Sequence, residues 1–396
     1  MKRFGPGVVI AAAFIGPGTL TASTLAGVHF GFSLLWAMLF SILGTMVLQE
    51  MAARLGMVSQ MGLAHAVRST LPKRSIRLVI TLLVLSAVFI GNTAYEAGNL
   101  SGAVLGLEVF LGAEYRKTYA LFAGLLVFLL LWFGNYRFLE KVFVGLIAIM
   151  SVSFVVTAVL TKPDIQKLIT GLFLPTLPAK SALSVIAIVG TTIVPYNLFL
   201  HTALVKEKWG NTVNLKALRF DTLFSIGLGG LVSLSIIITA AAVTSTDIKD
   251  AIGLAKGLEP LMGQWAQYFV GMGLFAAGIT SAITAPLAAA YVVKNCMGWD
   301  CDLLDRRFRG IWIAVLLVGL VTLLFDMRPI QVITFAQIAN GLLLPLIAIM
   351  LVWMVNNTAL MGNHRNTRLQ NFFGLVVIVI CIILGAKSII TVITTF

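Results

Sequence analysis

Long apolar stretches recur along the whole chain and are separated by short polar connections. A helix needs about 20 apolar residues to cross the hydrocarbon core of a membrane. Many of the stretches are rich in Leu, Val and Ile and show no periodic polar face, which is typical of helices surrounded by lipid or by other helices. The pattern predicts eleven membrane-spanning helices, at residues 7–29, 33–53, 78–104, 118–134, 142–161, 182–205, 222–245, 266–293, 310–325, 330–355 and 371–395.

Two of the predicted helices are interrupted by glycine and proline. The first contains Gly-Pro-Gly-Thr at residues 16–19, and the sixth contains Gly-Thr-Thr-Ile-Val-Pro-Tyr-Asn at residues 190–197. Unwound backbone at the middle of a membrane survives only where it is buried in protein or lines a cavity. Interruptions in corresponding helices of two five-helix halves indicate an inverted-repeat secondary transporter with its substrate site at the midplane. We therefore expect one transmembrane domain, with repeats at 7–161 and 182–355 and an extra helix at 371–395.

The composition agrees with a membrane protein. Of 396 residues, 59% are hydrophobic and 11% are charged, and the mean hydropathy is +1.00. A soluble domain has about 45–50% apolar and about 25% charged residues, so a soluble fold is excluded. The sequence predicts an all-α integral membrane protein. The spacing of Cys296 and Cys301 matches neither a redox nor a zinc pair, and we find no motif of an intramembrane enzyme or of a cofactor site.

Basic residues outnumber acidic ones by 28 to 15, for a net charge of +13. In a soluble chain this excess would suggest nucleic acid, but in a membrane protein it sets the topology. With the N-terminus in the cytoplasm, 19 Lys and Arg lie inside and 9 outside. We therefore expect a cytoplasmic N-terminus, an external C-terminus and no nucleic-acid partner. Short polar connections favour a bacterial inner membrane, and the first apolar segment is interpreted as a transmembrane helix rather than a secretory signal.

The interruptions supply hydroxyls, an amide and backbone groups. A half-helix that ends there presents unpaired carbonyls and a partial negative charge, whereas one that begins there presents N–H groups and a positive charge. A cation fits the first kind of end and an anionic group the second. For each threonine the alternative stays open that it only bonds a preceding carbonyl of its own helix. The candidate substrate-binding residues are Gly16, Thr19, Thr191, Val194, Tyr196, Asn197 and Gln337.

Glu50 and Glu96 are the acidic residues that fall inside predicted helices. Carboxylates in a membrane are costly, and they are functional candidates by default. Glu50 precedes Arg54 by four residues, a spacing that predicts a structural ion pair. Glu96 shares a helix face with Asn99, and we expect it to face the interior and to carry a proton during transport. His201 lies inside the sixth helix, either as a proton carrier or as a hydrogen-bonded packing residue.

Four stretches resemble the natural resistance-associated macrophage protein (NRAMP) family of metal transporters. They are FIGPGTLTASTLAG, GTTIVPYNLFLHTALV, VLQEMAARLG and the segment from Gln337 to LMGN. The similarity runs from about residue 5 to the end of the chain. The resemblance implies a LeuT-type 5+5 inverted repeat with broken helices 1 and 6, which imports divalent transition metals, usually with protons.

The family's metal ligands are not all present in this chain. Gly16 stands where the family has an aspartate, and Thr19 replaces an asparagine. Val194 replaces a methionine and Tyr196 a histidine, while Thr191 stands at an alanine whose carbonyl binds metal in the family. The resemblance therefore preserves the scaffold but replaces the carboxylate and sulfur ligands with hydroxyls and carbonyls.

The family's proton route is partly present. Glu96, His201 and Gln337 match positions that the family uses in proton movement or in closing the site, whereas Gly134 stands at a usual aspartate. We expect a secondary transporter that moves a divalent cation by alternating access, with protons as candidate co-transported ions. Its weak metal ligands would be Thr19, Thr191 and Gln337, and a hard hydrated ion such as Mg²⁺ or Mn²⁺ suits such oxygens. The alternatives are a transporter of a small organic or anionic solute, such as an amino acid or a carboxylate, and a non-transporting sensor.

Overall fold

The computed structural model describes residues 5–71, 73–134, 136–210, 213–243, 263–324 and 344–395, together with Gly253 and Glu259. Within this part of the chain the regular structure is helical, as predicted. The longer helices are α1 Pro6–Phe14, α2 Pro17–Phe30, α3 Leu35–Ser59, α4 Leu63–Thr70, α5 Arg74–Leu111, α6 Arg116–Phe133, α7 Tyr136–Leu160, α8 Ile165–Phe173, α9 Ala182–Thr192, α10 Pro195–Trp209, α11 Leu215–Ala241, α12 Trp265–Met297, α13 Arg306–Leu324, α14 Leu344–Asn356 and α15 Arg368–Thr395.

The predicted spans coincide with helices or broken helix pairs wherever they fall on described residues. Among those residues, seven helical stretches are long and apolar enough to cross a membrane. An eighth arises if α14 and the helical turn after it, which bend by 63° at Asn357, are one span. The all-α membrane fold is thus confirmed, while the total of eleven spans stays a prediction because residues 325–343 lie outside the described chain.

Both predicted interruptions are present. α1 ends at Phe14 and α2 begins at Pro17, with Gly16 extended between them at φ −108° and ψ −179°. α9 ends at Thr192 and α10 begins at Pro195. Proline lacks the N–H that a continuing helix needs and is well suited to the first helical position, so each proline starts a new half-helix. We call the two interruptions break 1, residues 15–16, and break 2, residues 193–194.

The short helices α4 and α8 were not predicted, because the sequence was searched for runs long enough to cross a membrane. α8 has a clear start signal nonetheless. The Asp164 carboxylate accepts hydrogen bonds from the backbone N–H groups of Gln166 and Lys167, at 3.0 and 3.2 Å. An aspartate in this position satisfies N–H groups that the first helical turn leaves unpaired. A capping signal therefore identifies α8, whereas α4 begins without a side-chain cap.

α12 lies at the centre of the bundle and packs against α5, α7, α10, α13 and α1. Its closest neighbour is α5, and glycines allow the two backbones to approach. A Cβ atom at Gly278 would overlap the backbone of Ala103, and one at Gly106 would lie 2.6 Å from the amide nitrogen of Phe275. Small residues permit this close packing where lipid supplies no hydrophobic driving force between helices. The packing places the polar side chains of α12 beside break 1.

The predicted pair of Glu50 and Arg54 is present and belongs to a larger buried network. Arg54 Nε lies 3.1 Å and Arg219 Nε 2.9 Å from the same carboxylate oxygen of Glu50. The Arg54 guanidinium also donates to the backbone carbonyl of His364 and to Asn366 Oδ1. Buried charges are tolerated when they are paired and hydrogen-bonded in this way. The network joins α3 to α11 and to the segment before α15, which supports the structural interpretation of Glu50.

Asp221 has a role that the sequence did not reveal, because it falls near the end of a predicted span. Its side chain is completely buried on α11. The carboxylate accepts hydrogen bonds from the backbone N–H groups of Gly5 at 2.7 Å and Gly7 at 2.8 Å. A carboxylate at a helix N-terminus pairs with free N–H groups and with the positive end of the helix dipole. Asp221 therefore fixes the start of α1, and break 1 lies at its other end.

Candidate functional site

The carbonyl groups at the end of α1 are the foundation of the candidate site. The last backbone bond of α1 runs from the Ile15 N–H to the Ala11 carbonyl at 3.3 Å, so the carbonyls of residues 12–15 lie beyond it. The Thr19 hydroxyl donates to the Phe14 carbonyl at 2.6 Å, and the Tyr196 hydroxyl donates to the carbonyl of residue 13 at 3.2 Å. Hydroxyls from two other half-helices thus stabilise carbonyls that would otherwise be unpaired inside a membrane.

The remaining two carbonyls at this end are shared by one hydroxyl from α12. Ser281 Oγ lies 3.4 Å from the Ala12 carbonyl oxygen and 3.5 Å from the Ile15 carbonyl oxygen. Sequence reasoning did not single out Ser281. Its neighbours in the sequence include the hydroxyl residues Thr280 and Thr284, which bond carbonyls of their own helix, so residue type alone does not identify the one serine that reaches across.

Break 2 meets break 1 at Thr19. Thr19 Oγ1 lies 3.4 Å from the Thr191 carbonyl oxygen as well as 2.6 Å from the Phe14 carbonyl oxygen. A hydroxyl has one proton to donate, so the shorter contact is the stronger hydrogen bond. The carbonyl of Thr192, the last residue of α9, accepts from Thr45 Oγ1 on α3 at 3.3 Å. The carbonyl ends of α1 and α9 therefore converge on one threonine.

The other predicted residues around break 2 differ in the polar groups that they present to the site. The Thr191 hydroxyl bonds the Ile188 carbonyl of its own helix at 3.1 Å, so only its carbonyl faces break 1. Val194 is buried, and its carbonyl accepts from the Asn197 backbone N–H at 3.2 Å. Both side-chain amide atoms of Asn197 are buried and make no hydrogen bond to the described residues. Unpaired buried polar atoms are costly, which makes the Asn197 amide a group that a ligand can satisfy.

The space next to Gly16 is occupied. A Cβ atom built at Gly16 would lie 2.8 Å from Ser281 Oγ and 3.5 Å from Asn99 Oδ1. A side chain as large as aspartate therefore has no room at this position while Ser281 and Asn99 keep their places. In the described part of the chain there is also no group of three or more His, Cys, Asp or Glu arranged to hold a metal ion. The donors at the breaks are hydroxyl, carbonyl and amide oxygens.

Glu96 lies on α5, outside the two breaks. It is fully buried on α5, and neither carboxylate oxygen makes a well-formed hydrogen bond to the described residues. A Cβ atom at Gly319 of α13 would lie 2.6 Å from Glu96 Cγ, so the side chain of Glu96 packs directly against α13. Asn99 and Tyr196 are its polar neighbours. Because Tyr196 also bonds the end of α1, it connects Glu96 with break 1.

The remaining candidates of the proton route are spread out. His201 Nδ1 lies 3.0 Å from Gln49 Oε1, and its Nε2 atom is buried without a partner among the described residues. Gly134 follows the last residue of α6. Gln337 lies outside the described residues. The structure thus gives His201 a hydrogen-bonding partner on α3, Gln49, that the sequence did not indicate.

The site is closed in this structure. The exposed fraction is 1% for Thr19, 3% for Thr191 and 1% for Asn197. A polar site that is buried at two helix breaks must open before a solute can enter or leave. This arrangement is that of a transporter with discontinuous helices, in which unwound segments hold the cargo near the midplane.

These features define a LeuT-type membrane transporter. The sequence matches the family described as natural resistance-associated macrophage protein-like over residues 7–391. The match covers nearly the whole chain, and the chain belongs to this family. The family is one of transporters rather than enzymes.

Relatives and solved structures agree with this assignment. The divalent metal cation transporter MntH of Klebsiella pneumoniae strain 342 is 29% identical over 394 residues, which cover 97% of this chain and 93% of MntH. The manganese transporter of Eremococcus coleocola has a similar fold, with a TM-score of 0.80, 23% identity and coverage of 97% of this chain and 85% of that one. MhsT, solved in complex with L-phenylalanine, shares the fold more distantly, with a TM-score of 0.68, 14% identity and 97% coverage of both chains.

The crowding at Gly16 predicts a specific stability effect. Gly16→Ala places a methyl group 2.8 Å from Ser281 Oγ, and overpacking of this kind costs about 1–3 kcal/mol. We expect the midpoint of thermal unfolding in detergent to fall by about 1–4 °C. Adding Ser281→Ala removes the clashing oxygen and should restore most of the loss. Gly310→Ala, at a helical position with open space around it, is the matched control. Equal midpoints for Gly16→Ala and the unmodified protein would contradict this packing.

Proposed function

We propose that the protein moves a divalent metal cation across the membrane by alternating access and holds it between the two breaks. The observation that supports this most is the convergence of two helix C-termini on Thr19, through the carbonyls of Phe14 and Thr191. Each C-terminus carries about half a negative charge, so the place where they meet favours a cation. Membership of a family whose relatives are named divalent metal cation transporters supports the same cargo.

The donor set favours a hard cation within that class. In this proposal the ligands are the Thr19 hydroxyl, the Thr191 carbonyl and Gln337, with Asn197 as a further amide ligand. Oxygen donors suit Mg²⁺ and Mn²⁺, and a site with few protein ligands leaves such an ion several of its waters. Gly16, Val194 and Tyr196 shape the site rather than coordinate the ion.

A small polar organic solute is the second candidate, and a specific observation favours it. The position of the family's aspartate, Gly16, is filled by Ser281 and Asn99. A dehydrated divalent ion without a carboxylate beside it is poorly compensated, whereas a neutral or zwitterionic solute such as an amino acid loses less on burial. The N-termini of α2 and α10 can bind an anionic group, and the Asn197 amide can bind a polar one.

We further propose that protons are coupled to transport through Glu96 and that His201 contributes to the same route. The burial of Glu96 and its electrostatic interaction with Tyr196, which bonds the end of α1, support this. We place the protein in a bacterial inner membrane with a cytoplasmic N-terminus, on the basis of the unequal distribution of Lys and Arg between the two sets of connections.

Removal of the Thr19 hydroxyl tests the metal site. Thr19→Val keeps the shape but removes the hydroxyl that contacts the carbonyls of Phe14 and Thr191. Loss of its one hydrogen bond, worth about 1 kcal/mol, predicts an about fivefold lower initial rate of Mn²⁺ or Mg²⁺ uptake into proteoliposomes. The matched control is Thr322→Val, because Thr322 is half-buried on α13, away from the breaks, and bonds its own helix. If neither ion enters vesicles that contain the unmodified protein, while an amino acid or a carboxylate does, the organic-solute candidate replaces the metal.

The proton proposal has its own test. Glu96→Gln keeps the size of the side chain and removes its titration, so uptake of the transported solute should lose its dependence on pH across the neutral range. The titratable side chains of Tyr95 and Tyr196 nearby are phenols, whose reference pKa of about 10 is far from the neutral range. Asp164→Asn, which retains the exposed cap of α8, is the control and should keep the pH dependence of the unmodified protein. A Glu96→Gln variant with an unaltered pH profile would remove Glu96 from the proton route.

A further inference from the structure

The connection between α14 and α15 forms a polar pocket that the transport site does not use. Asn356, Asn363, Arg365 and Asn366 line this amide pocket, and its volume is about 420 Å³. We propose that the amide pocket binds the phosphate headgroup of an anionic phospholipid, whose acyl chains lie along the exposed apolar sides of α14 and α15. The binding is independent of the proposed function, and only the assignment of the lipid to the cytoplasmic leaflet rests on the topology proposed there.

The composition of the connection favours an anion. After Asp326 the chain contains no Asp or Glu, whereas residues 356–371 carry five asparagines together with His364, Arg365 and Arg368. Amide and guanidinium N–H groups are hydrogen-bond donors, and the planar guanidinium matches the oxygens of a phosphate in geometry. The connection therefore offers donors to a negative group and no carboxylate to a cation.

Arg365 is the residue that we expect to contact the phosphate. Its side chain is exposed at the pocket. Among the described residues its guanidinium makes a single hydrogen bond, from Nη1 to Thr358 Oγ1 at 3.2 Å. A guanidinium has five N–H donors, so most of them remain available to a ligand. Its bonds to phosphate oxygens are charge-assisted and about twice as strong as bonds between neutral groups.

The amide side chains beside Arg365 hold one another in place. Asn356 and Asn371 exchange two hydrogen bonds, with distances from Nδ2 to Oδ1 of 2.8 and 3.0 Å. Asn366 donates to Asn371 Oδ1 at 2.8 Å and accepts from the Arg54 guanidinium at 2.6 Å. A pocket whose walls are already ordered loses less conformational entropy when a ligand binds. The same bonds join the ends of α14 and α15 and connect them to α3.

The charged side chains behind the pocket also favour an anion. Arg54 and Arg219 both pair with Glu50, so two guanidinium groups face one carboxylate and one positive charge is in excess. This excess lies next to the pocket, because Arg54 bonds Asn366. Arg365 adds a further positive charge at the surface. Basic residues close to the cytoplasmic surface of a membrane attract anionic lipids.

Apolar side chains adjoin the pocket on both helices and distinguish a lipid from a free phosphate ion. On α14, Trp353 is exposed one turn before Asn356, and tryptophan is typical of the boundary between lipid headgroups and acyl chains. On α15, the exposed apolar residues that share one side of the helix are Leu369, Phe372, Val379 and Ile383. A phosphate ion would contact the polar pocket alone. A phospholipid would contact both the polar and the apolar surface, so we commit to the lipid.

A bound lipid would act on the helix bundle through Arg54. The Arg54 guanidinium donates to the carbonyl of His364 as well as to Asn366, and it pairs with Glu50, which also holds Arg219 of α11. The lipid would therefore fix a connection that is already joined to α3 and α11. A ligand that binds the folded state and not the unfolded one stabilises the protein, which gives the binding a measurable effect.

Thermal unfolding of the purified full-length protein in mixed micelles tests the binding. The midpoint is measured in detergent with increasing mole fractions of phosphatidylglycerol or of phosphatidylcholine, and separately with inorganic phosphate and no lipid. We expect phosphatidylglycerol to raise the midpoint saturably by about 2–4 °C, and the other two additions to raise it by much less. Equal shifts with the two lipids would overturn the proposal. An equal shift with inorganic phosphate would also overturn it, because the ligand would then be a free ion.

Substitutions of Arg365 locate the response in the amide pocket. Arg365→Gln removes the charged donor and should raise the half-saturating mole fraction of phosphatidylglycerol by at least about tenfold. Arg365→Lys keeps the charge but loses the paired donors, so its half-saturating mole fraction should be intermediate.

Arg306→Gln is the matched control, because Arg306 is exposed at the start of α13, on the same side of the membrane in the proposed topology, and the substitution removes the same charge. It should respond like the unmodified protein. An unchanged response in Arg365→Gln, or an equally weakened one in Arg306→Gln, contradicts the pocket as the site. If Arg365→Gln does not fold, an unchanged response in Arg365→Lys contradicts it in the same way.

Discussion

Backbone carbonyls that lie inside a membrane without a helical partner must find a donor or a cation, and this constraint organises the centre of the molecule. Proline ends the hydrogen-bond pattern twice, at Pro17 and Pro195, and the carbonyls before them are left unpaired. Hydroxyls from α2, α10, α12 and α3 meet these carbonyls. The positions of the four helices around the breaks follow from the need to satisfy these groups where water is absent.

The features that the sequence predicted are those with a strong local cause. Long apolar runs require membrane helices, and the two prolines require the breaks. Both features depend on the local sequence and not on which helices pack together. Thr19 and Thr191 were singled out because both lie at the breaks, whereas the contact between them was not predicted. Ser281 and Asp221 were not predicted, since serines are common in membrane helices and the position of Asp221 near a helix end concealed its burial. Their roles depend on which helices pack together, which local sequence does not specify.

The departures from the family pattern form one consistent set. Gly16 lacks the side chain for which there is no room beside Ser281, and Tyr196 supplies a hydroxyl to the end of α1. Hydroxyl-to-carbonyl contacts thus occur at the positions where the resemblance implies an aspartate and a histidine. Such a site is less negative than one with an aspartate, so in the proposed function it would bind the ion through dipoles and would leave more of the ion's hydration in place.

The central claim is that the cargo cation is held between the two breaks, where the ends of α1 and α9 converge. An experimental structure of the protein with Mn²⁺, with the ion located by its anomalous scattering, measures this most directly. The account predicts one strong anomalous peak between the carbonyl oxygens of Phe14 and Thr191, next to the Thr19 hydroxyl. Helices that continue unbroken through residues 14–17 and 192–195, or a Mn²⁺ peak confined to the protein surface, would contradict it.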